Sequence, residues 1–334
     1  MQIAYAAEAT PNGYYRGVWP MTALERLFDH RARRLALEPE RWTAADVDGI
    51  DVLFIHRMCD EPALRLVRQA KANGATVVWD DDDDVGSALK SVGVHKRLGK
   101  LAAERRVAET RRLLAVTDLV TTPSHHLAAR FRELGAAQVQ VIENHFPQEF
   151  IQSGAPAHEG LVIGWVAALE HQMDVDALPI RAVLQQLLDE RPDMRVATIG
   201  LRLGLHNERY EHRGMVPFDE LTQEIASFDI GIAPLSERDF NRARSNIKLK
   251  EYAAGGVPWL ASPIGPYADM GEKQGGRLVA DDRWHEAISR LIDKPRDRRK
   301  LAKHGRKWVA SQTLTHQAVA WETALNGAVS RALA

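Results

Sequence analysis

The sequence contains a single cysteine, Cys59, among its 334 residues. An internal disulfide framework is therefore excluded, and a reducing compartment is favoured. Long apolar runs are also missing, because stretches such as residues 161–169 are far shorter than the roughly 20 residues that span a bilayer. The first residues enter a strand-like segment without a basic region or a long apolar region, so no signal peptide is expected. These absences predict a cytoplasmic protein without a transmembrane segment.

An excess of either charge is absent as well. The formal net charge is −1, so no overall field draws the molecule to nucleic acid or to anionic lipid. Apolar residues make up 45% of the chain and charged residues 27%, as in globular proteins that bury substantial cores. The length is sufficient for two domains of roughly 150 residues each.

Strand-like and helix-like segments alternate along the chain, which predicts parallel sheets covered on both faces. The predicted strands are 3–7, 52–56, 76–79, 119–121 and 139–142, then 161–166, 195–199, 230–233, 257–261 and 277–279. The predicted helices are 21–34, 62–73, 96–115 and 124–134, then 177–190, 221–227, 246–255 and 284–292. The two series meet in an aperiodic stretch, 152–159, that contains Gly154 and Pro156. We therefore predict an α/β protein with domains at 1–152 and 160–312, a cleft between them, and a terminal helix at 313–334 that packs back toward the first domain.

The loop after the predicted strand 230–233 is the most informative, because ligands of open parallel sheets bind beyond the carboxyl ends of strands. Ser245 is a suitable N-cap for a helix beginning at Asn246. Lys248 then lies near the positive end of the helix dipole, where a cation costs about 0.3–1 kcal/mol. A bound anion would reverse that cost. The alternative is an ordinary Lys248–Glu251 pair on a solvated helix face.

Five consecutive aspartates, 80–84, follow the predicted strand 76–79. Alternation along an extended chain would turn every second carboxylate the same way, so Asp81 and Asp83 are candidates for binding a substrate or a basic group in the cleft. A solvated loop whose last Asp caps the next helix is an equal alternative. A divalent metal site is the third and least favoured interpretation.

The segment 248–262, KLKEYAAGGVPWLAS, resembles the signature of retaining GT-B glycosyltransferases of family 4, which include mannosyl- and glucosyltransferases. Weaker similarities occur in the same order at 12–16, 118–124, 141–144, 163–174 and 227–235. The resemblance covers nearly the whole chain. It implies the GT-B fold, in which two Rossmann-like domains face a cleft and the second binds a nucleotide-diphosphate sugar.

The resemblance also implies roles for individual residues. Glu251 matches the second Glu of the family's Glu-x7-Glu motif, which holds the nucleotide ribose. The remaining donor-binding candidates are Gly13, Tyr14, Arg244, Ser245, Asn246, Ile247 and Lys248. Among them Arg244 and Lys248 would neutralise the diphosphate, and Gly13 would let the backbone approach the phosphate or sugar.

Two departures from the family pattern affect the catalytic candidates. Ala243 occupies the position of the first Glu of the motif, and Asp239 is the candidate substitute for that carboxylate. The Arg and Lys that usually follow the first strand of the second domain are replaced by Glu170, His171 and Gln172. His171 is thus the candidate in that loop.

The expected reaction is transfer of a sugar from a nucleotide-diphosphate donor to an acceptor hydroxyl, with retention of configuration. Cations and helix amides would stabilise the leaving group, so no metal or other cofactor is required. The acceptor class is open: glycan, protein, lipid, small molecule or modified nucleic-acid base. Two alternatives are a binding protein that has lost the chemistry, which Ala243 suggests, and a sugar-nucleotide epimerase on the same fold.

Overall fold

A computed structural model describes residues 1–84, 86–87, 96–152, 154 and 158–332. The chain divides into two compact units. Unit 1 comprises Met1–Pro147, Arg242–Ser245 and Leu314–Ala334, and unit 2 comprises Gln148–Asn241 and Asn246–Thr313. The division differs from the predicted domains in two respects: residues 148–152 belong to unit 2, and the short segment Arg242–Ser245 clusters with unit 1. Pro156 of the predicted linker lies outside the described residues.

Unit 1 contains a parallel sheet of six described strands in the order β2-β1-β3-β4-β5-β6. The strands are β1 Gln2–Ala6, β2 Arg31–Arg34, β3 Val52–His56, β4 Thr76–Asp80, β5 Leu119–Thr122 and β6 Val139–Val141. Its main helices are Trp19–Phe28, Glu61–Ala72, Lys96–Leu114, His125–Glu133 and Leu314–Ala332.

Both faces of this sheet are buried, as the continuous apolar strands predict. On one face Trp79 of β4 packs edge-on against Phe131, with ring centroids 5.2 Å apart. On the other face Phe54 of β3 packs against Trp321 of helix Leu314–Ala332 at 5.9 Å. The terminal helix is therefore part of the core of unit 1.

Unit 2 contains a second parallel sheet of six described strands, in the order β12-β11-β10-β7-β8-β9. The strands are β7 Leu161–Ala167, β8 Met194–Gly200, β9 Tyr210–Arg213, β10 Ile230–Ala233, β11 Trp259–Ala261 and β12 Gly276–Leu278. Its main helices are Gln172–Ala177, Ile180–Glu190, Leu221–Ile225, Ile247–Ala254, Trp284–Asp293 and Pro295–Val309. Helix Asp239–Ala243 runs from unit 2 into the segment that clusters with unit 1.

Two edge strands were not expected from the sequence. Residues 31–34 were assigned to a helix over 21–34, but the helix ends at Phe28 and Asp29 adopts a left-handed conformation (φ 54°) that stops it. Arg31–Arg34 then pairs with β1 as an edge strand. The second unexpected strand is Tyr210–Arg213, which pairs with β8 at the edge of the other sheet and also has few apolar residues. Charged edge strands lack the apolar alternation from which strands are predicted, and charge protects a sheet edge from aggregation.

The strand orders identify where each sheet can bind a ligand. In unit 1 the chain moves from β1 outward to β2 and then returns to the other side of β1 with β3. In unit 2 it moves from β7 through β8 to β9 and returns beside β7 with β10. Adjacent loops at such a reversal leave in opposite directions and open a crevice, which is where doubly wound sheets bind ligands. The loops after β1 and β3, and after β7 and β10, are therefore the ones to inspect.

Candidate functional site

The loop after β1 begins with one helical turn, Pro11–Gly13, and continues as a π-helical stretch, Tyr14–Val18. Gly13 is buried, and a Cβ at this position would lie 2.0 Å from the carbonyl oxygen of Glu8. The chain's own backbone therefore requires glycine here, whatever else approaches it. Tyr14 is half-buried, with its ring 5.8 Å from that of Trp19. Their assignment to donor binding stays a prediction.

Arg16 follows in the same loop and is fully buried. Its Nε and Nη2 donate to the carboxylate of Asp80 at 3.1 and 2.6 Å, and its Nη1 donates to Asn144 Oδ1 at 2.9 Å. The guanidinium carbon lies 4.9 Å from the ring centroid of Trp321, a cation–π distance. Asp80 also accepts from Thr121 Oγ1 at 2.6 Å. This ion pair thus ties the loop after β1 to the ends of β4 and β5.

Arg57, the first residue after β3, has a left-handed backbone (φ 63°), an unfavourable conformation for a side chain of this size. Its guanidinium donates to Asp82 Oδ1 at 2.6 Å and to Asp83 Oδ2 at 2.5 Å. When the side-chain amide of Asn12 is oriented with its oxygen toward Arg57, Asn12 Oδ1 accepts from Arg57 Nη2 at 2.5 Å. Residues in such conformations cluster at functional sites. Because Asn12 follows β1 and Arg57 follows β3, their contact brings the two loops together where the strand order reverses.

The aspartate run is not a solvated loop, because Asp80, Asp81, Asp82 and Asp84 are all buried. Asp81 pairs with Arg106 at 3.0 Å, and Asp82 contacts both Arg57 and His56. The predicted alternation does not hold. The Asp83 amide donates to Asp81 Oδ1 at 3.2 Å, so the chain turns directly after β4 and does not continue extended. Asp84 accepts from the Ser87 amide and hydroxyl, as the capping alternative expected of the last aspartate.

Asp83 differs from its neighbours in exposure and in charge state. Its side chain is 25% exposed, against 3% for Asp81 and 6% for Asp82. Burial and the charge of Asp82 raise the pKa of Asp83 to about 7, although Arg57 and Arg244 oppose the shift. A small pocket of about 20 Å³ lies beside it, lined by Asp81, Asp83, Asp84, Gly86, Arg106, Val107, Thr110, Arg130, Phe131 and Leu134. Of the two predicted acidic residues, Asp83 is therefore the one suited to meet a ligand and to exchange a proton near neutral pH.

In unit 2 the loop after β10 leads into helix Ile247–Ala254. The predicted N-cap is wrong: Asn246 occupies the capping position and makes no capping hydrogen bond with its side chain. Lys248 Nζ and Glu251 Oε2 form an ion pair of 2.7 Å on one face of the helix, and Glu251 is buried. The opposite face carries Leu249 and Tyr252, both buried as predicted.

Ser245 lies in the segment that clusters with unit 1, and Asn144 Nδ2 donates to its hydroxyl at 3.3 Å. Ala243 is fully buried in the apolar core of unit 1, and its carbonyl accepts from Ser124 Oγ at 2.7 Å. A glutamate at position 243 would have to place a carboxylate in that core. The substitute carboxylate, Asp239, is exposed at the start of its helix. Arg244 and Ile247 are half-buried, and their proposed contacts with a donor are untested.

His171 lies at the end of a single 3₁₀ turn, Leu169–His171, after β7. The side chain is buried, and Nδ1 lies 2.8 Å from Asp174 Oδ2. Its ring stands edge-on to Trp165, with centroids 5.8 Å apart. The loop that carries His171 flanks the reversal between β7 and β10.

Three polar residues of these sites were not among the predicted ones: Arg16 and Asp174, which are buried, and Arg106, which is half-buried. A signal for the two arginines was present, since five adjacent aspartates after a buried strand need cations nearby. Nothing in the sequence shows which of the many arginines supply them. In the ranges that the structure describes, no group of three or more His, Cys, Asp or Glu is arranged to hold a metal ion. Across the same ranges, every helix is too short or too polar to cross a membrane.

Comparison with known proteins bears on the class of protein. Residues 179–323 match the family model described as glycosyl transferase-like. A search of curated protein sequences finds no match. Sucrose-phosphate synthase from Thermosynechococcus elongatus is similar in structure, with a TM-score of 0.73 and 14% identity over 99% of this chain and 100% of that one. HepE from Anabaena, solved with UDP-glucose, has a TM-score of 0.66 and 14% identity over 100% and 99% of the two chains.

A third similar structure is Staphylococcus aureus TarM, solved with UDP among its ligands. Its TM-score is 0.58 and its identity 12%, over 82% of this chain and 55% of that one. This chain has the GT-B fold, and within it residues 179–323 are similar to the glycosyl transferase-like family. The comparisons confirm the fold and the glycosyltransferase class that the sequence predicts.

Proposed function

We propose that this protein is a retaining, metal-independent glycosyltransferase of the family 4 type, which transfers a sugar from a nucleotide-diphosphate donor to an acceptor hydroxyl. The observation that carries the proposal is the Lys248–Glu251 pair in the first turns of helix Ile247–Ala254. It lies within the part of the chain that matches the glycosyl transferase-like model.

The donor side of the proposal uses unit 2. Lys248 stands near the helix N-terminus, where a cation is unfavourable unless an anion is bound. Its ammonium is partly exposed, at 20%, whereas the carboxylate of Glu251 is 97% buried beside it. A diphosphate would meet Lys248 and the amides of the first turn, and a ribose would place its hydroxyls at Glu251. His171 is the further donor-side candidate, from the loop on β7.

The acceptor side of the proposal uses unit 1. Asp83 combines partial exposure, a small neighbouring pocket and a pKa near neutrality. A carboxylate with these properties is suited to accept a hydrogen bond, or a proton, from an acceptor hydroxyl. Asp81 holds Arg106 and supports the turn that presents Asp83.

A panel of nucleotides and nucleotide sugars tests the function, starting with UDP and UDP-glucose because HepE and TarM were solved with UDP ligands. At about 100 times its Kd, a nucleotide should stabilise the protein by ~2.7 kcal/mol and raise the melting temperature. Lys248→Ala should remove most of that rise, and Lys303→Ala, an exposed lysine of the same unit, should leave it unchanged.

The same panel separates the alternatives. With acceptor present, a transferase yields a glycoside whose anomeric configuration NMR shows to be retained, and excess EDTA leaves the rate unchanged. A binding protein shows the melting shift without product, and an epimerase converts the donor sugar without an acceptor. If no nucleotide or nucleotide sugar shifts the melting temperature, the proposed function is wrong.

Asp83 leads to a pH prediction. Its pKa of about 7 means that the carboxylate is largely protonated below neutrality and ionised above it. Since only the ionised carboxylate can accept a proton from the acceptor hydroxyl, the transfer rate should rise as pH increases through about 7. Asp83→Asn should lower transfer by roughly 10²- to 10⁴-fold, the usual contribution of a positioned general base, and flatten that rise, while donor affinity changes little. A rate profile from pH 5.5 to 8.5 measures both. Retention of the wild-type rise in the variant would assign the ionisation to another group.

A further inference from the structure

A buried carboxylate, Asp174, connects the two loops that flank the strand reversal of unit 2. It lies in helix Gln172–Ala177, in the segment after β7, and is 1% exposed. Its Oδ1 accepts from the Ser236 amide at 2.9 Å, from Ser236 Oγ at 2.7 Å and from Asn241 Nδ2 at 2.8 Å. Ser236 belongs to the loop after β10. One oxygen of Asp174 is therefore sufficient to join the two loops.

The other oxygen has a different partner. Oδ2 lies 2.8 Å from Nδ1 of His171, within the range of a strong hydrogen bond. Burial opposes ionisation of Asp174, but the hydrogen bond and charge of His171 and the bonds from Ser236 hold its pKa below the usual range. An ionised carboxylate only accepts hydrogen bonds, so His171 Nδ1 must carry the proton. In a neutral ring with its proton on Nδ1, the other nitrogen, Nε2, is a hydrogen-bond acceptor.

The position of this pair favours a role beyond holding the loops together. The loops after β7 and β10 border the crevice at the strand reversal, where ligands of doubly wound sheets bind. His171 enters that region from the β7 side, with Trp165 against its ring. A carboxylate that fixes both the tautomer and the orientation of an imidazole is a recurrent device in binding and catalytic sites.

We propose that Asp174 is a positioning residue, which holds His171 with its proton on Nδ1 and thereby presents Nε2, as a hydrogen-bond acceptor, to a hydroxyl of the donor sugar. This role rests on the proposed function, since it requires a nucleotide sugar in unit 2. A purely structural Asp174 would hold the two loops in place, and its substitution would lower transfer whether or not His171 is present.

Asp174→Asn distinguishes the two roles. The asparagine oxygen can keep the bonds from Ser236 and Asn241, while its NH₂ group now faces His171 and donates to Nδ1. The ring should then move its proton to Nε2, which ¹⁵N-histidine NMR detects directly. Transfer should fall about tenfold, the effect of one hydrogen bond to a charged group. Asp176→Asn is the matched control: this exposed aspartate of the same helix bonds Gln172, and its loss should change neither readout.

Two further variants protect the test against a folding defect. Ser236→Ala removes a bond to Oδ1 only, so it should leave the tautomer of His171 unchanged. In a His171→Ala background, Asp174→Asn should cause no additional loss of transfer, because a positioning residue acts only through the group that it positions. Additive losses, or a wild-type His171 with its proton on Nε2 alone, would overturn the proposal. A wild-type protein that binds no nucleotide sugar, with the proton on Nδ1 nevertheless, would instead count against the proposed function.

Discussion

Arg16→Met should destabilise unit 1 by about 3–5 kcal/mol, the cost of breaking a buried ion pair from one side. The variant leaves the carboxylate of Asp80 at 0% exposure without the cation that pairs with it. The hydrogen bond from Thr121 Oγ1 to Asp80 is kept. The methionine also cannot replace the bond to Asn144. Hydrogen exchange in urea, followed on peptides from β4 and β5, reports on unit 1 by itself.

Arg105→Ala provides the matched control, because Arg105 forms an ion pair with Glu109 while its side chain is 80% exposed. Such surface pairs contribute less than about 1 kcal/mol. A second comparison is Arg16→Met combined with Asp80→Asn, which removes the uncompensated charge and should recover part of the lost stability. If Arg16→Met costs no more than Arg105→Ala, the ion pair is not what joins the loop to the sheet.

Glu251→Ala should weaken the binding of a nucleotide donor by about 1.5–3 kcal/mol, the range for hydrogen bonds to a charged group. That loss is roughly a tenfold to hundredfold increase in Kd. The reason is that Glu251 is the buried carboxylate beside Lys248 and is the residue proposed to accept from the ribose hydroxyls. Isothermal titration with the best donor of the panel measures the effect.

A 2′-deoxy donor identifies which part of the nucleotide is affected. Wild type should bind it more weakly than the ribonucleotide, whereas Glu251→Ala should discriminate little between them. Glu190→Ala, an exposed glutamate of the same unit, controls for the loss of a negative charge. Equal discrimination by wild type and Glu251→Ala would place the ribose elsewhere.

Prediction from the sequence succeeded best where a pattern was long and local. Buried strands such as β3 and β10 appear as continuous apolar runs, and their alternation with amphipathic helices required two parallel sheets. The helix from Ile247 was also predicted from its periodicity, and Leu249 and Tyr252 are buried as that periodicity implied. Edge strands were missed because they lack such a pattern: β2 is the run Arg31–Arg34, which has no apolar alternation.

The candidate sites were only partly predictable. Lys248 and Glu251 are three residues apart on one helix, so their pairing follows from helical geometry. The residue that caps this helix was not predicted correctly. Ser245, the predicted cap, accepts a hydrogen bond from Asn144, which is distant in sequence. The role of Gly13 in donor binding stays a prediction, and the contact that requires a glycine there is with the carbonyl oxygen of Glu8.

The sequence by itself determined the fold class, the positions of the described strands other than the edge strands β2 and β9, and the acidic and basic segments that carry chemistry. These features depend on hydrophobic periodicity and on motifs within about 20 residues, which a chain shows without folding. Only the tertiary structure decided which partner each charged group has. Asp80 pairs with Arg16 across 64 positions, and Asp174 accepts from Ser236 across 62. A buried carboxylate must be paired, but the partner is the cation or donor that folding brings within about 3 Å, and sequence spacing carries no information on that distance.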